Sequence, residues 1–270
     1  MEPTYLATCR LGNPGGLPLV LLHGFPVDGH MWDLLLPELA ARGVEDVLVV
    51  DGPGWGGSAH LVGPGGHGPV EGLEGYADAV AATLRALGIE RAAVAGLSMG
   101  GYVAMALAER HPELVAALAL LDTKSTLDAP QVRAGRLDMA ERALTEGAGV
   151  VAPMAGAVLA PATLAGGDVL DAYRAMAGAS SGQAIAWAQR AMAARPDRTD
   201  ALRTLARAAT PGLVLRGEHD VPCSPADAEH MAAAMGCRVV TVAGAGHFPP
   251  MENPAATAQA LAELVRQVAR

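Results

Sequence analysis

Ala92-Ala93-Val94-Ala95-Gly96-Leu97-Ser98-Met99-Gly100-Gly101-Tyr102 reads as a strand, a tight turn and the start of a helix. Ala92–Ala95 is a short apolar run of the kind buried inside a sheet, and the apolar residues of Ser98–Arg110 recur at helical spacing. Between them lies Gly-x-Ser-x-Gly, from Gly96 to Gly100. A turn this sharp needs neighbours without bulky side chains, which the two glycines supply. It would set the Ser98 hydroxyl at the top of a sheet and at a helix N-terminus, where free N–H groups and the helix dipole favour developing negative charge. A serine N-cap after a glycine turn has the same letters. The chain has 33 glycines, so the letters alone carry little weight. The strand–turn–helix placement carries more.

Similar units lie on both sides. Leu19–Leu22, Val47–Val50, Ala117–Leu121, Leu213–Leu215 and Val239–Val242 are short apolar runs that predict buried strands. His30–Ala41, Leu73–Leu87, Pro225–Met235 and Pro254–Val268 have helical periodicity. Continuous apolar strands alternating with helices predict an α/β fold, with a mainly parallel central sheet covered by helices on both faces. Gly63–Gly72, dense in Gly and Pro, reads as a flexible surface loop.

From Thr123 to Arg207 the alternation stops. No strand pattern appears there, and the segment is Ala-rich and helical, broken at Pro130, Pro153, Pro161, Gly166–Gly167 and Pro196. The expected organisation is a core of residues 1–122 and 208–270 with a helical cap inserted at 123–207. Met139, Met154, Met176, Trp187 and Met192 either line an apolar pocket under that cap or pack its own interior.

Hydrophobic residues make up 51% of the 270-residue chain, so it can bury a sizeable core. Aromatics make up only 3%, so that core is built of Ala, Val, Leu and Met. A net charge of -9 without a basic stripe argues against a nucleic-acid partner. Cys9, Cys223 and Cys237, odd in number and irregularly spaced, read as small buried or half-buried hydrophobes and not as a disulfide framework. The first ten residues, MEPTYLATCR, lack the pattern of a secretory signal. No apolar stretch approaches membrane-spanning length. The expectation is a soluble cytoplasmic protein with no membrane partner. No HExxH, paired CxxC or calcium-loop pattern appears, and no GxGxxG follows a first strand, so neither a metal nor a dinucleotide cofactor is expected.

A serine hydroxyl is a poor nucleophile at neutral pH and needs a base, which in turn needs an orienting acid. His247 is the candidate base, set between Gly244, Gly246 and Phe248-Pro249-Pro250 in the loop after the last strand. Asp220 is the candidate acid, just after strand Leu213–Leu215; Asp122, at the end of Ala117–Leu121, is the competitor. The order Ser, Asp, His fits a nucleophile elbow on an α/β sheet. An oxyanion would be met by the amides of Met99, next after the nucleophile, and Phe25, in Leu22-His23-Gly24-Phe25-Pro26. His23 reads as a loop-orienting residue. Trp55, Trp187 and Phe248 are candidate substrate contacts. His30, His60, His111 and His230 read as structural.

Together LLHGFP, DGPGWGGS, AGLSMGGY, RGEHDVPCSP and GAGHFPPMENP, in that order, resemble the α/β-hydrolase superfamily over nearly the whole chain. The resemblance is to small bacterial carboxylesterases, enol-lactone hydrolases and cofactor-free haloperoxidase-like esterases. It implies a serine hydrolase acting on a small-molecule ester or lactone through an acyl-enzyme. It assigns Ser98 as nucleophile, His247 as base, Asp220 as acid, and the Phe25 and Met99 amides as oxyanion donors. The same triad also serves C–C bond hydrolysis and acyl transfer to an alcohol or peroxide, and a non-catalytic receptor on this fold is a third possibility. A dehalogenase would carry Asp at the elbow, where this chain has Ser98.

Overall fold

The apolar runs assemble edge to edge as one sheet. The computed structural model describes residues 3–13 and 15–268. Among the described residues seven strands are formed: β1 (Thr8–Gly12), β2 (Leu19–Leu22), β3 (Asp46–Val50), β4 (Ala92–Leu97), β5 (Val115–Leu121), β6 (Gly212–Gly217) and β7 (Val239–Val242). Their order is β1-β3-β2-β4-β5-β6-β7, and only β1 runs antiparallel to its neighbour. Every residue of β2, β3, β4 and β5 is buried. That is why these strands are apolar without alternation: helices cover both faces.

β1 departs from the expectation drawn from apolar runs. Its sequence, TCRLG, is mostly exposed, and it joins the edge through its backbone pairing with β3 and through the Arg10–Asp46 ion pair at 2.8 Å. An edge strand of this kind buries too little side chain to leave a hydrophobic signature.

The core helices are α1 (Leu35–Ala40), α2 (Gly72–Ala86), α3 (Met99–Arg110), α10 (Pro225–Met235) and α12 (Pro254–Val268), with the short α11 (Pro249–Glu252) before the last. The helix expected over His30–Ala41 is split into a 3₁₀ turn at Gly29–Trp32 and α1. Between β5 and β6 lie α4 (Pro130–Glu146), α5 (Ala155–Val158), α6 (Pro161–Leu164), α7 (Asp168–Ala179), α8 (Gly182–Ala194) and α9 (Thr199–Arg207). Pro130 and Pro161 stand in the first turns of α4 and α6, where a missing N–H costs nothing. α4 packs along α8.

Gly63–Gly72 is held more firmly than its composition implies. Gly63 bridges to His67, Gly65 accepts a hydrogen bond from Arg190, and Val70 accepts one from Trp187 Nε1 at 2.8 Å. Cys223 is buried and Cys237 half-buried, but Cys9 is exposed on β1. No helix among the described residues is long and apolar enough to cross a membrane.

All parallel strands point their C-terminal ends to one edge. Leu22 pairs with Gly96 there, so the loops after β2 and β4 emerge side by side. The elbow fits only because its glycines have no side chain. A Cβ on Gly100 would lie 2.1 Å from the Leu22 carbonyl oxygen, and one on Gly96 would lie 2.2 Å from the Gly100 oxygen. Both obstacles are backbone. Gly100→Ala is therefore expected to destabilise the fold by roughly 3 kcal/mol or more, lowering Tm by about 6 °C or more. A calorimetric scan checks this; an unchanged Tm contradicts the packing of β2 against the elbow.

Candidate active site

Ser98 joins β4 to α3 with φ 53° and ψ -110°, a conformation that a residue with a side chain rarely adopts. Such strain costs of order 1–3 kcal/mol and persists only where neighbours hold it. Here the Ser98 amide donates to Leu121 O at 2.9 Å. Its carbonyl accepts from Thr123 Oγ1 at 2.8 Å and from the amides of Gly101 and Tyr102. The backbone is thus clamped from β5 and from α3, and the half-buried side chain turns outward.

His247 and Asp220 arrive on the loops after β7 and β6. Those loops press together closely enough that a Cβ on Gly217 would lie 1.8 Å from the Gly246 oxygen. The His219 amide donates to Ala245 O at 2.8 Å and fixes the pairing. His247 Nδ1 then meets Asp220 Oδ1 at 2.8 Å, both side chains almost fully buried. Asp220 is also braced: its carbonyl accepts from Arg216, and its Oδ1 accepts from the Cys223 amide. Of the two competing acids, Asp220 is the one bonded to the imidazole.

Asp122 stands directly behind it. Its Oδ1 accepts from the Gly217 amide at 2.7 Å, while Oδ2 of Asp122 and Oδ2 of Asp220 are buried with no described hydrogen-bond partner. Burial and the charge of Asp220 push the Asp122 carboxyl well above its ordinary range. Burial works against the Asp220 charge too, but His247 holds its pKa below the ordinary value. Both shifts favour a protonated Asp122 beside an ionised Asp220. These two residues and His247 offer ligand atoms within 4.8 Å of one another; of these groups, His247 Nδ1 and Asp220 Oδ1 are bonded to each other and Asp122 Oδ1 is bonded to the Gly217 amide.

Because folded Asp122 holds its proton more tightly than the unfolded chain does, stability falls as pH rises from about 4 towards its folded pKa. Asp122→Asn cannot ionise, so it escapes that loss. The unfolding free energy of the variant should gain on the wild type as pH rises across the window. Denaturant melts at stepped pH check this, and a gap that does not change with pH contradicts it.

Met99 follows Ser98 directly, Phe25 lines the same cavity as Ser98, and neither amide donates to a described group. Both residues are buried. His23 shapes the Phe25 loop. Its Nε2 accepts from the Gly52 amide at 2.8 Å, so Nδ1 carries the hydrogen and donates to Gly24 O at 2.9 Å. Complete burial lowers its pKa, keeping it neutral in that tautomer.

Ser98, His247 and Phe25 open on one cavity of about 370 Å³. Its other walls come from α4, α8 and the segment before α6: Val132, Met139, Met154, Val158 and Met192, with Pro222 at the rim. Ser98 Oγ and His247 Nε2 share this space without a mutual hydrogen bond; such contacts commonly tighten only with substrate in place.

A model of the alpha/beta hydrolase family matches residues 19–260. The chain belongs to the alpha/beta hydrolase family. The hydrolase superposes with a TM-score of 0.88 on a thermophilic esterase from Thermogutta terrifontis, at 35% identity over 98% of this chain and 94% of that one. It matches the enol-lactonase from Burkholderia xenovorans LB400 with a TM-score of 0.84, at 25% identity over 97% and 96%. It is 31% identical, over 94% of its length and 96% of the relative's, to 2-succinyl-6-hydroxy-2,4-cyclohexadiene-1-carboxylate synthase from Salmonella typhimurium. Three other curated relatives, at 37% to 40% identity, are matched over only 28% to 36% of their own length.

Three aromatic candidates lie outside the hydrolase's cavity wall. Trp55 is buried behind Phe25, ring centroids 6.0 Å apart, and donates to Ser180 Oγ. Trp187 faces Tyr76 and the Val70 loop. Phe248 is fully buried between Tyr173 and His247. With so few aromatics, each is consumed in packing the helical insertion onto the core. Met139, Met154 and Met192 do reach the cavity; Met176 does not.

Glu252 was not singled out by its sequence context, yet it ties the histidine loop to the insertion. Oε1 accepts from the Gly246 and Phe248 amides, and Oε2 accepts from the Ala160 amide and Thr163 Oγ1. The His247 amide donates to Val158 O at 2.6 Å beside it. Its place in HFPPMENP, five residues after the histidine, was the available signal. Arg136 and Gln189, also in the cavity wall, leave no such trace, since polar residues on helices usually face water.

Proposed function

We propose that this hydrolase cleaves a carboxylic ester or lactone through an acyl-enzyme, with residues 123–207 as the cap over the reacting carbonyl. The observation that carries this reading is the convergence of strained Ser98, Phe25 and the Asp220-bonded His247 on one cavity. Likeness to an esterase and an enol-lactonase supports it.

In this mechanism Ser98 Oγ attacks the carbonyl carbon while its proton passes to His247 Nε2. The Phe25 and Met99 amides receive the oxyanion. The C–O bond to the leaving alcohol then breaks, and His247 returns the proton to that oxygen. Water repeats the sequence against the acyl-enzyme, giving the acid and free Ser98. Asp220 holds the imidazole with Nδ1 protonated and stabilises the imidazolium. Protonated Asp122 keeps Asp220 in place without adding a second negative charge.

The full-length likeness to a protein named a synthase favours a second reading, in which the same base serves chemistry without net hydrolysis. Turnover of a short p-nitrophenyl ester in ¹⁸O-water separates the two. Hydrolysis places one solvent oxygen in the acid product. No ester turnover, or product without label, contradicts the hydrolytic reading.

A further inference from the structure

Away from Ser98 and His247 the cavity wall is polar at one place. Arg136, on α4, faces the space shared by Ser98 and His247, with Gln189 of α8 beside it. The charge there does not balance. Asp128 accepts from Arg136 Nε at 2.7 Å, but it also holds Arg195 with both oxygens, at 2.7 and 2.8 Å. Burial opposes the Asp128 charge, yet the two guanidiniums hold its pKa down to about 2. One carboxylate thus serves two arginines, and one positive charge remains.

That surplus charge points to the cavity. Arg195 does not line the cavity: it is buried, doubly bonded to Asp128, bonded to the Met192 and Thr126 carbonyls, and stacked over Tyr102 at 4.1 Å, with only its Nε left without a described partner. Arg136 keeps 19% of its side chain exposed, and among the described residues no carboxylate other than Asp128 lies within 4.0 Å of it. Its Nη1 has only long contacts of 3.3 Å, to Gln189 Oε1 and Met192 Sδ, and its Nη2 has no described acceptor. Gln189 is 97% buried, and with its oxygen turned to Arg136, its amide N–H groups also lack a described acceptor. A partly desolvated guanidinium fork beside an amide donor matches a planar two-oxygen anion.

We propose that the substrate carries a free carboxylate besides the bond that is cleaved, and that Arg136 and Gln189 bind it. This rests on the acyl-enzyme reading for the reacting end of the cavity. The cavity is small enough to hold both groups of one short molecule and suits few longer ones. The Val132, Met139 and Met154 walls would contact the methylenes between them.

The test compares matched esters. On the acyl side the pair is p-nitrophenyl butyrate and mono-p-nitrophenyl glutarate; on the alcohol side it is phenyl acetate and 3-acetoxybenzoate. The wild type should favour the carboxylate-bearing member of at least one pair by about tenfold or more in kcat/KM, chiefly through KM. In Arg136→Gln that ratio should fall towards one, and Arg136→Lys should keep part of it. Glutarate should inhibit the wild type competitively and the Gln variant more weakly. No preference by the wild type in either pair overturns the proposal while leaving the hydrolase reading intact. So does a parallel loss on both members in Arg136→Gln, which marks a purely structural brace. If no ester is cleaved, the hydrolytic reading fails. Glutarate binding by calorimetry then decides the anion site alone: absence of binding to the wild type overturns it.

Discussion

Replacing Ser98 with alanine is expected to lower turnover of a short p-nitrophenyl ester by roughly 10⁴–10⁶-fold. The reason is specific to where the residue sits. Ser98 is the hydroxyl held at φ 53° on the elbow, and it opens on the cavity that also contains His247. Without it, His247 has no covalent nucleophile to activate, and only the oxyanion amides and the binding walls remain. Those alone sustain a small residual rate. The backbone clamp from Leu121, Thr123, Gly101 and Tyr102 does not involve the hydroxyl, so the variant should fold as the wild type does. Alanine is also strained at this φ, so a small change in Tm is compatible with the account. A near-normal rate in pure Ser98→Ala protein is not.

Asp220→Asn should be nearly as severe, lowering kcat by roughly 10³–10⁴-fold. The carboxylate accepts the Nδ1 hydrogen of His247 at 2.8 Å and so leaves Nε2 free to take the serine proton. An asparagine that turns its amide nitrogen to Nδ1 stabilises the opposite tautomer, in which Nε2 carries the hydrogen and cannot act as a base. Asp122 cannot substitute where it stands. Its Oδ1 is committed to the Gly217 amide, and the imidazole bond goes to Asp220. Steady-state kinetics of Asp220→Asn beside Asp122→Asn checks this division. Comparable losses in both variants would mean that the two acids share the orienting role, contrary to the geometry.

The sheet and the elbow were legible because their causes are local and repetitive. Apolar runs such as Val115–Leu121 are buried on both sides, and Gly96 and Gly100 stand where any side chain would strike backbone. The placement of Ser98, Asp220 and His247 at one sheet edge was legible because each follows a strand, and parallel strands deliver their following loops to one edge. The cavity wall was less legible. It belongs to helices of the insertion, whose angles are set by packing and leave no periodic mark. Arg136 lies in a mostly exposed stretch of α4, and nothing in its neighbours distinguishes it from a solvated arginine. Trp55 and Trp187 illustrate the converse. A large aromatic near a motif draws attention as a substrate contact, but in a chain with three tryptophans the demands of packing take them first. The carboxyl pair of Asp122 and Asp220 lay between these cases. Both residues were candidates for one role, and only the three-dimensional arrangement separates them, with Asp220 meeting the imidazole and Asp122 the Gly217 amide.

Reaction with a fluorophosphonate probe, followed by peptide mapping, tests most directly whether the imidazole activates the elbow serine. The account predicts a single adduct on Ser98, formed rapidly in the wild type and suppressed in His247→Ala. An unlabelled wild-type protein, or an adduct on another residue with Ser98 untouched, would contradict it.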